Sequence, residues 1–191
     1  MHIIKVSRME FQKTLIPGLV VACPRRFVDS RGYFMETYRK DIFTPVIGEV
    51  EFVQDNESES RRGVLRGLHL QTGSSAQAKL IRVTEGRVFD VAVDLRSGSA
   101  TYGHWYGIEL SDENALMMYI PRGFAHGFIV LSDKAKFSYK VDNFYDPQSE
   151  VTIKFDDPDI GIEWPTADEE LLLSERDIAK AIAFRQYSPG I

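Results

Sequence analysis

Hydrophobic residues in the middle of the chain occur in short runs that turn residues separate. Apolar and polar residues alternate in 79–83, and Glu85-Gly86 turns the chain into the apolar run 87–94. Further runs rich in β-branched and aromatic residues lie at 106–110, 116–120, 128–131, 136–141 and 151–155. Short strands that recur at a spacing of about ten residues predict a β-sandwich or a barrel.

A helical pattern is confined to two segments. Residues 35–43 predict a short helix, and residues 174–184 predict a second helix near the C-terminus. Ser174 is a suitable N-cap for the second helix, and acidic residues follow in its first turn. No repeat and no linker-like tract interrupts the pattern. We therefore predict one mostly β domain over residues 1–191, with short helices at its periphery.

Composition and charge exclude several classes of protein. The 191 residues are 43% hydrophobic and 27% charged, with a net charge of −5, which is typical of a globular domain without a general attraction to nucleic acid or anionic membrane. Residues 1–8 lack the apolar core of a signal peptide, and no apolar run approaches the roughly 18 residues of a membrane span. Cys23 is the only cysteine, so no intrachain disulfide forms. We expect a cytoplasmic protein with neither nucleic acid nor membrane as a partner.

Two segments carry the candidate chemistry. The first runs from Gly63 through His69 towards Gly86, and the second is Pro121-Arg122-Gly123-Phe124-Ala125-His126. Their spacing resembles the paired motifs of the cupin superfamily, whose fold is a small jelly-roll barrel. The resemblance implies a cupin-type jelly-roll sandwich or barrel.

The departures from the cupin motif concern the metal ligands. His69 and His126 fall on histidine ligand positions, but Gln71 and Lys79 stand where the motif has a histidine and a glutamate. A carboxamide is a poor ligand for a transition metal, and an ammonium group repels a cation. We expect a barrel mouth without a metal, in which two imidazoles and a fixed positive charge suit an anionic substrate or intermediate.

A closer resemblance extends over residues 14–178. It rests on segments that follow one family's order and spacing: 29–36, 52–56, 64–69, 89–96, 123–128, 161–165 and 173–177. The chain resembles the dTDP-4-dehydrorhamnose 3,5-epimerases, a branch of the cupins that belongs to deoxysugar nucleotide pathways. It departs from the family's usual residues at Phe144, which replaces a tyrosine, at Arg176, which replaces a lysine, and at Ala78, which replaces a glycine.

The resemblance implies epimerisation without a cofactor. These enzymes invert C3 and C5 of dTDP-4-dehydro-6-deoxy-D-glucose to give dTDP-4-dehydro-L-rhamnose. The C4 carbonyl acidifies the hydrogens on both neighbouring carbons, because removal of either proton leaves an enolate delocalised onto oxygen. Such a site needs a base on one face of the sugar, an acid on the other, and positive charge near O4.

Four residues match the family's catalytic positions. His69 would be the general base, since imidazole accepts a proton near neutral pH. Asp177 would orient this histidine and stabilise the imidazolium. Tyr139 would be the acid on the opposite face, and Lys79 would stabilise the enolate oxygen.

Further residues match binding positions of the family. Arg66 is the expected partner of the diphosphate, because a guanidinium binds phosphate in bidentate fashion. Either Phe144 or Tyr145 would stack on the thymine. The full set is Arg31, Glu36, Gln54, Asn56, Arg66, His126, Phe144, Tyr145, Glu150 and Arg176. The resemblance also implies a homodimer with exchanged N-terminal strands, in which Arg31 and Glu36 come from the neighbouring subunit.

Three alternatives stay open at this point. The chain could be an epimerase that inverts only C3 or only C5 of a related nucleotide 4-keto sugar. It could be a cupin that binds sugar nucleotides without catalysis, in which case it exchanges no hydrogen with solvent. It could also be a metal-dependent cupin oxygenase, which stoichiometric iron, manganese or zinc would reveal.

Overall fold

The computed structural model describes residues 2–6, 8–165 and 171–189. The strands in these ranges are β1 (His2–Val6), β2 (Met9–Lys13), β3 (Val20–Pro24), β4 (Phe27–Asp29), β5 (Gly32–Phe34), β6 (Gln54–Arg61), β7 (Leu65–Gln71), β8 (Lys79–Glu85), β9 (Arg87–Asp94), β10 (Trp105–Ser111), β11 (Met117–Ile120), β12 (Phe124–Val130), β13 (Lys134–Val141) and β14 (Glu150–Thr152). The α-helices are α1 (Lys40–Ile47) and α2 (Glu175–Lys180), and short 3₁₀ helices lie at Gly73–Ser75 and Phe184–Gln186.

Two antiparallel sheets form the sandwich. One sheet has the strand order β1-β2-β3-β11-β8-β13-β6, and the other has the order β10-β9-β12-β7-β14. Between them, Ile81 and Phe137 of the first sheet pack with Val88, Leu110 and Phe128 of the second. This architecture confirms the predicted mostly β, cupin-type jelly-roll fold, with helices at its periphery.

The first helix lies later in the chain than predicted. The pattern placed it at 35–43, whereas α1 begins at Lys40 and ends at Ile47, with Pro45 inside it. Ile42 and Phe43 are buried against the outer face of the seven-stranded sheet, where the rings of Phe43 and Phe11 meet edge to face at 5.1 Å. This burial stabilises a helix that extends past a proline, which local propensity disfavours.

The second helix is shorter than predicted but begins at the expected cap. The backbone N–H of Asp177 donates to Ser174 Oγ at 3.0 Å, which confirms the N-cap. The helix ends at Lys180 instead of continuing to 184, because Ile182 forms a parallel bridge with Ile153. That bridge needs extended backbone.

In the described ranges no helix has both the length and the apolar character to cross a membrane.

Candidate active site

The two imidazoles of the motif lie side by side on the five-stranded sheet. His69 on β7 and His126 on β12 are register partners. The strands approach closely at Gly67, which has a φ of +128°, and a Cβ there would lie 2.5 Å from the Cα of Gly127. A side chain at position 67 would therefore push the two histidine-bearing strands apart.

His69 and Asp177 form a hydrogen-bonded pair. Nε2 of His69 lies 2.7 Å from Oδ1 of Asp177, which is 7% exposed. Burial alone would raise the pKa of Asp177, but hydrogen bonds from His69, Ser174 and the Gly67 N–H outweigh it and hold the pKa below its usual value. The carboxylate therefore accepts the Nε2 proton, which leaves Nδ1 of His69 as the basic nitrogen.

Tyr139 and Lys79 reach the same space from the opposite sheet. They lie on the neighbouring strands β13 and β8. An inner cavity of about 170 Å³ lies between the sheets; its wall is formed by Ser58, Arg66, His69, Lys79, His126, Phe128, Phe137 and Tyr139. The predicted base and the predicted acid thus line one cavity from opposite walls.

The protonation of Tyr139 and Lys79 follows from their surroundings. Burial raises the pKa of Tyr139, and the nearby Arg66 only partly opposes the rise, so the phenol keeps its proton at neutral pH. Burial lowers the pKa of Lys79 to about 8, while the negative charge of Asp90 acts in the other direction. At neutral pH the lysine is therefore still mostly an ammonium ion, but the pH is close to the value at which it loses its proton.

His126 is paired with Asp90, a residue that the sequence analysis missed. Nε2 of His126 lies 3.0 Å and 2.9 Å from the two carboxylate oxygens of Asp90, which is fully buried on β9. Burial lowers the pKa of His126 and raises that of Asp90. The signal was present, since Asp90 interrupts an apolar strand run, and a buried carboxylate needs a partner.

An outer cavity of about 270 Å³ adjoins the inner one. His69, Lys79 and Tyr139 line both. Apart from Leu70, the further wall of the outer cavity is polar: Gln54, Asn56, Gln71, Gln77, Tyr145 and Glu150. The Nε2 group of Gln54 donates to Oδ1 of Asn56 at 2.8 Å. Tyr145 is part of this wall, whereas Phe144 is 67% exposed and does not line it. Of the two rings considered for stacking, only Tyr145 faces the cavity.

A third cavity, of about 480 Å³, also has His69 in its wall. Arg61, Arg66 and Arg176 are in its wall, so it is rich in guanidinium groups. Arg66 donates through Nε to Ser60 Oγ at 3.0 Å. Arg176 pairs with Glu150 and also donates to the Tyr145 hydroxyl at 2.9 Å. The wall also contains the carboxylates of Glu150 and Asp177, and the three guanidinium groups are of the kind that binds phosphate.

Two predicted binding residues lie apart from these cavities. Arg31 is strongly exposed and pairs with Asp29 at 2.6 Å. Glu36 pairs with Arg8 at 2.9 Å and with Arg39 at 3.3 Å. Neither belongs to the walls of the cavities around His69 in this chain.

The described side chains do not fit a cupin metal centre. Across residues 2–6, 8–165 and 171–189, no three His, Cys, Asp or Glu side chains come together as a set of ligands. Gln71 and Lys79 occupy the remaining motif positions, and Oε1 of Gln71 accepts from the Asp146 N–H at 2.9 Å. The arrangement instead offers a base, a proton donor and a cation around one cavity. These groups suit the removal of a proton next to a carbonyl and its return from the other side.

Sequence reasoning also missed several polar residues of the cavity walls. Ser58, two residues after Asn56 on β6, lines the inner cavity, and the next inward residue, Ser60, is buried and accepts from Nε of the wall residue Arg66. Gln77 and Arg61 belong to the walls as well. The available signal was the alternation of neutral and acidic polar residues along 54–60. The segment lacks the hydrophobic residues by which strands are usually recognised.

Comparisons with known proteins point to one family. The family model described as dTDP-4-dehydrorhamnose 3,5-epimerase matches residues 13–185. The chain is 51% identical over 173 residues to the dTDP-4-dehydrorhamnose 3,5-epimerase of Methanothermobacter thermautotrophicus, which covers 90% of this chain and 93% of that protein.

Solved structures agree with this similarity. The dTDP-4-dehydrorhamnose 3,5-epimerase of Elizabethkingia anophelis superposes with a TM-score of 0.89 at 52% identity, covering 94% of this chain and 98% of that one. The dTDP-6-deoxy-D-glucose-3,5-epimerase of Legionella pneumophila, solved with dTDP-4-keto-L-rhamnose, superposes with a TM-score of 0.87 at 45% identity, covering 91% and 92%.

Proposed function

The chain belongs to the dTDP-4-dehydrorhamnose 3,5-epimerase family, and we propose that it inverts C3 and C5 of dTDP-4-dehydro-6-deoxy-D-glucose to give dTDP-4-dehydro-L-rhamnose. The observation that carries this proposal is the placement of His69 and Tyr139 on opposite walls of one cavity, with Lys79 beside them. The reaction uses no cofactor, because the carbonyl of the substrate itself stabilises the carbanion.

His69 begins each inversion by taking the proton from the carbon next to the C4 carbonyl through Nδ1. Asp177 holds the ring through Nε2 at 2.7 Å and stabilises the imidazolium that forms. The electron pair of the broken C–H bond moves into the enolate, whose negative charge develops on O4. The Lys79 ammonium, desolvated in the cavity wall, stabilises that charge.

Tyr139 completes the inversion from the opposite wall. Its phenol holds a proton at neutral pH because burial raises its pKa. The enolate carbon takes this proton on the face away from His69, so the configuration of the carbon is inverted and Tyr139 is left as a phenolate. Before the next inversion the His69 imidazolium loses its proton to solvent and Tyr139 regains one from solvent. His126, held by Asp90, lies beside His69 in the inner cavity and serves as a substrate-binding group there.

The nucleotide occupies the cavities around the sugar position. Arg66 and Arg176 bind the diphosphate, because their guanidinium groups lie in the third cavity next to His69. Tyr145 stacks on the thymine in the outer cavity, where Gln54 and Asn56 supply amide groups to the base. Glu150 lines both of these cavities and orients Arg176 through their ion pair.

A homodimer completes the site. The hairpin β4–β5 exposes Phe27, Val28, Tyr33 and Phe34, with fractional exposures between 38% and 77%, a large apolar surface for so short a segment. Arg31 and Glu36 lie on and just beyond this hairpin, away from the cavities of their own chain. Two copies of the single-domain chain would exchange their N-terminal strands. This exchange would bring Arg31 and Glu36 of each copy to the site of its partner, next to the free edge of β6.

Incubation with the 4-keto substrate in deuterated water tests the reaction. We expect solvent deuterium at both C3 and C5 of the recovered sugar. Label at only one carbon would favour the single-centre epimerase instead. Binding of the sugar nucleotide without any label would favour the non-catalytic cupin, and stoichiometric iron, manganese or zinc required for turnover would favour the metal-dependent alternative.

A further inference from the structure

Gln71 carries a buried hydrogen-bond donor that the proposed mechanism does not use. It lies on β7, two residues after His69, is 6% exposed and lines the outer cavity. Its Oε1 accepts from the Asp146 N–H at 2.9 Å. Since that partner is a donor, the amide oxygen must face Asp146, and this fixes the position of Nε2. Nε2 is buried and has no acceptor among the residues that the structure describes.

The neighbouring amides of the outer cavity differ from Gln71 in this respect. Nε2 of Gln77 donates to the carbonyl oxygen of Asn143 at 2.8 Å, and Nε2 of Gln54 donates to Asn56 at 2.8 Å. A buried donor without an acceptor is unfavourable and uncommon in folded proteins. Its presence in a cavity wall indicates an acceptor supplied by a ligand.

The position of Gln71 indicates which part of the ligand it meets. On β7 it is the next residue on the same face after His69, towards the outer cavity, because side chains alternate along a strand. Its register partner on β14 is Glu150, the residue that pairs with Arg176. It is also bonded to Asp146, the neighbour of the stacking residue Tyr145. Gln71 thus lies between the proposed sugar position and the groups proposed for the diphosphate and the base.

We propose that Nε2 of Gln71 donates a hydrogen bond to an oxygen of the dTDP moiety, either a phosphate oxygen or a thymine carbonyl. This inference rests on the proposed function and adds a binding residue to it. The bond orders the Gln71 side chain, whose other end anchors the loop that carries Tyr145. A neutral donor suits this place, since a carboxylate there would repel the diphosphate.

Two variants remove the donor, and one of them keeps an acceptor for the Asp146 N–H. Gln71→Glu keeps an oxygen for the Asp146 N–H but replaces the donor with a charged acceptor. Gln71→Met keeps the length of the side chain without its polar groups or any charge. Gln148→Glu is the matched control, because it makes the same change of charge on the same loop at an exposed residue outside the cavity walls.

Calorimetric titration with dTDP and with thymidine provides the test. We expect Gln71→Met to weaken dTDP binding about fivefold, the scale of one neutral hydrogen bond, and Gln71→Glu to weaken it more than tenfold, the larger scale of a charged group, with Gln148→Glu close to wild type. A loss seen with both ligands assigns the bond to the base, and a loss seen with dTDP alone assigns it to a phosphate.

Thermal unfolding of the unliganded protein distinguishes a binding role from a structural one. Gln71→Met removes the unsatisfied donor, which is favourable, but also the acceptor of the Asp146 N–H, which is unfavourable, so we expect its unfolding temperature to stay close to that of wild type. A lower unfolding temperature together with unchanged dTDP affinity would overturn the inference. If wild type itself failed to bind dTDP, the proposed function would fall instead.

Discussion

The carboxylate of Asp90 lies 2.9 Å from Nε2 of His126. Asp90 is on β9, where the residues on either side of it are apolar. The pair is buried, and the charge of Asp90 also raises the pKa of Lys79 against the stronger effect of desolvation. Asp90 therefore acts on the site without lining its cavity walls. It holds His126 in place and helps to keep Lys79 protonated.

Replacing Asp90 with Asn tests this positioning role. The amide keeps the shape of the side chain but removes the charge, so the pKa of Lys79 should fall further. In wild type, kcat should fall at alkaline pH when Lys79 loses its proton. We expect this alkaline limb of the kcat profile to move to a lower pH in Asp90→Asn. A change of fold alone would lower the unfolding temperature without moving the limb. An alkaline limb at the wild-type pH would contradict the role given to Asp90.

The pH dependence of wild type should report Lys79. Its pKa of about 8 means that the ammonium loses its proton as the pH rises through that value, so kcat should fall there. Tyr139 is not the source of such a limb, because burial raises its pKa above the usual value of about 10. The measurement is a kcat profile from about pH 6 to about pH 10.

Lys79→Met is the companion variant for that profile. We expect it to be at least about a hundredfold slower at neutral pH, since the cation that stabilises the enolate is lost. Its residual activity should show no limb near pH 8. Persistence of the limb in this variant would assign it to another group.

Arg66→Ala should chiefly weaken nucleotide binding. A hydrogen-bonded charge pair with a phosphate is lost, so we expect the dissociation constant for dTDP to rise at least about tenfold. Arg62→Ala is the control, because Arg62 has the same charge, pairs with Asp133 at 3.2 Å and is outside the walls of the cavities. Equal affinities in Arg66→Ala and wild type would refute the phosphate role.

Much of the fold follows from the hydrophobic pattern, and the exceptions have physical causes. The run 87–94 predicted a strand and forms Arg87–Asp94, because its apolar side chains are buried. The strand Gln54–Arg61 was missed, since its inward side chains are polar and line a cavity instead of a core. The helix Lys40–Ile47 depends on burial of Ile42 and Phe43 against the sheet, which local propensity does not report.

The candidate site was accessible to sequence reasoning mainly through resemblance. The resemblance of two segments to the paired cupin motifs predicted that His69 and His126 lie together, and the strand register brings them side by side. The partner Asp177 lies 108 residues from His69 in the chain, so no local pattern connects the two. Gln71 was noted only as a poor metal ligand, because the orientation of its amide depends on the distant Asp146 N–H.

In the proposed reaction His69 and Tyr139 act from opposite faces of one sugar, and isotope exchange in two variants distinguishes their roles. Each variant is incubated with the 4-keto substrate in deuterated water, and both label and configuration are determined. Tyr139→Phe should exchange hydrogen at the carbons next to the carbonyl but return it from the His69 side, so label appears without inversion. His69→Ala should incorporate at least about a hundredfold less label than wild type. Label at wild-type rate in His69→Ala, or inversion at wild-type rate in Tyr139→Phe, would exclude these roles of the two residues.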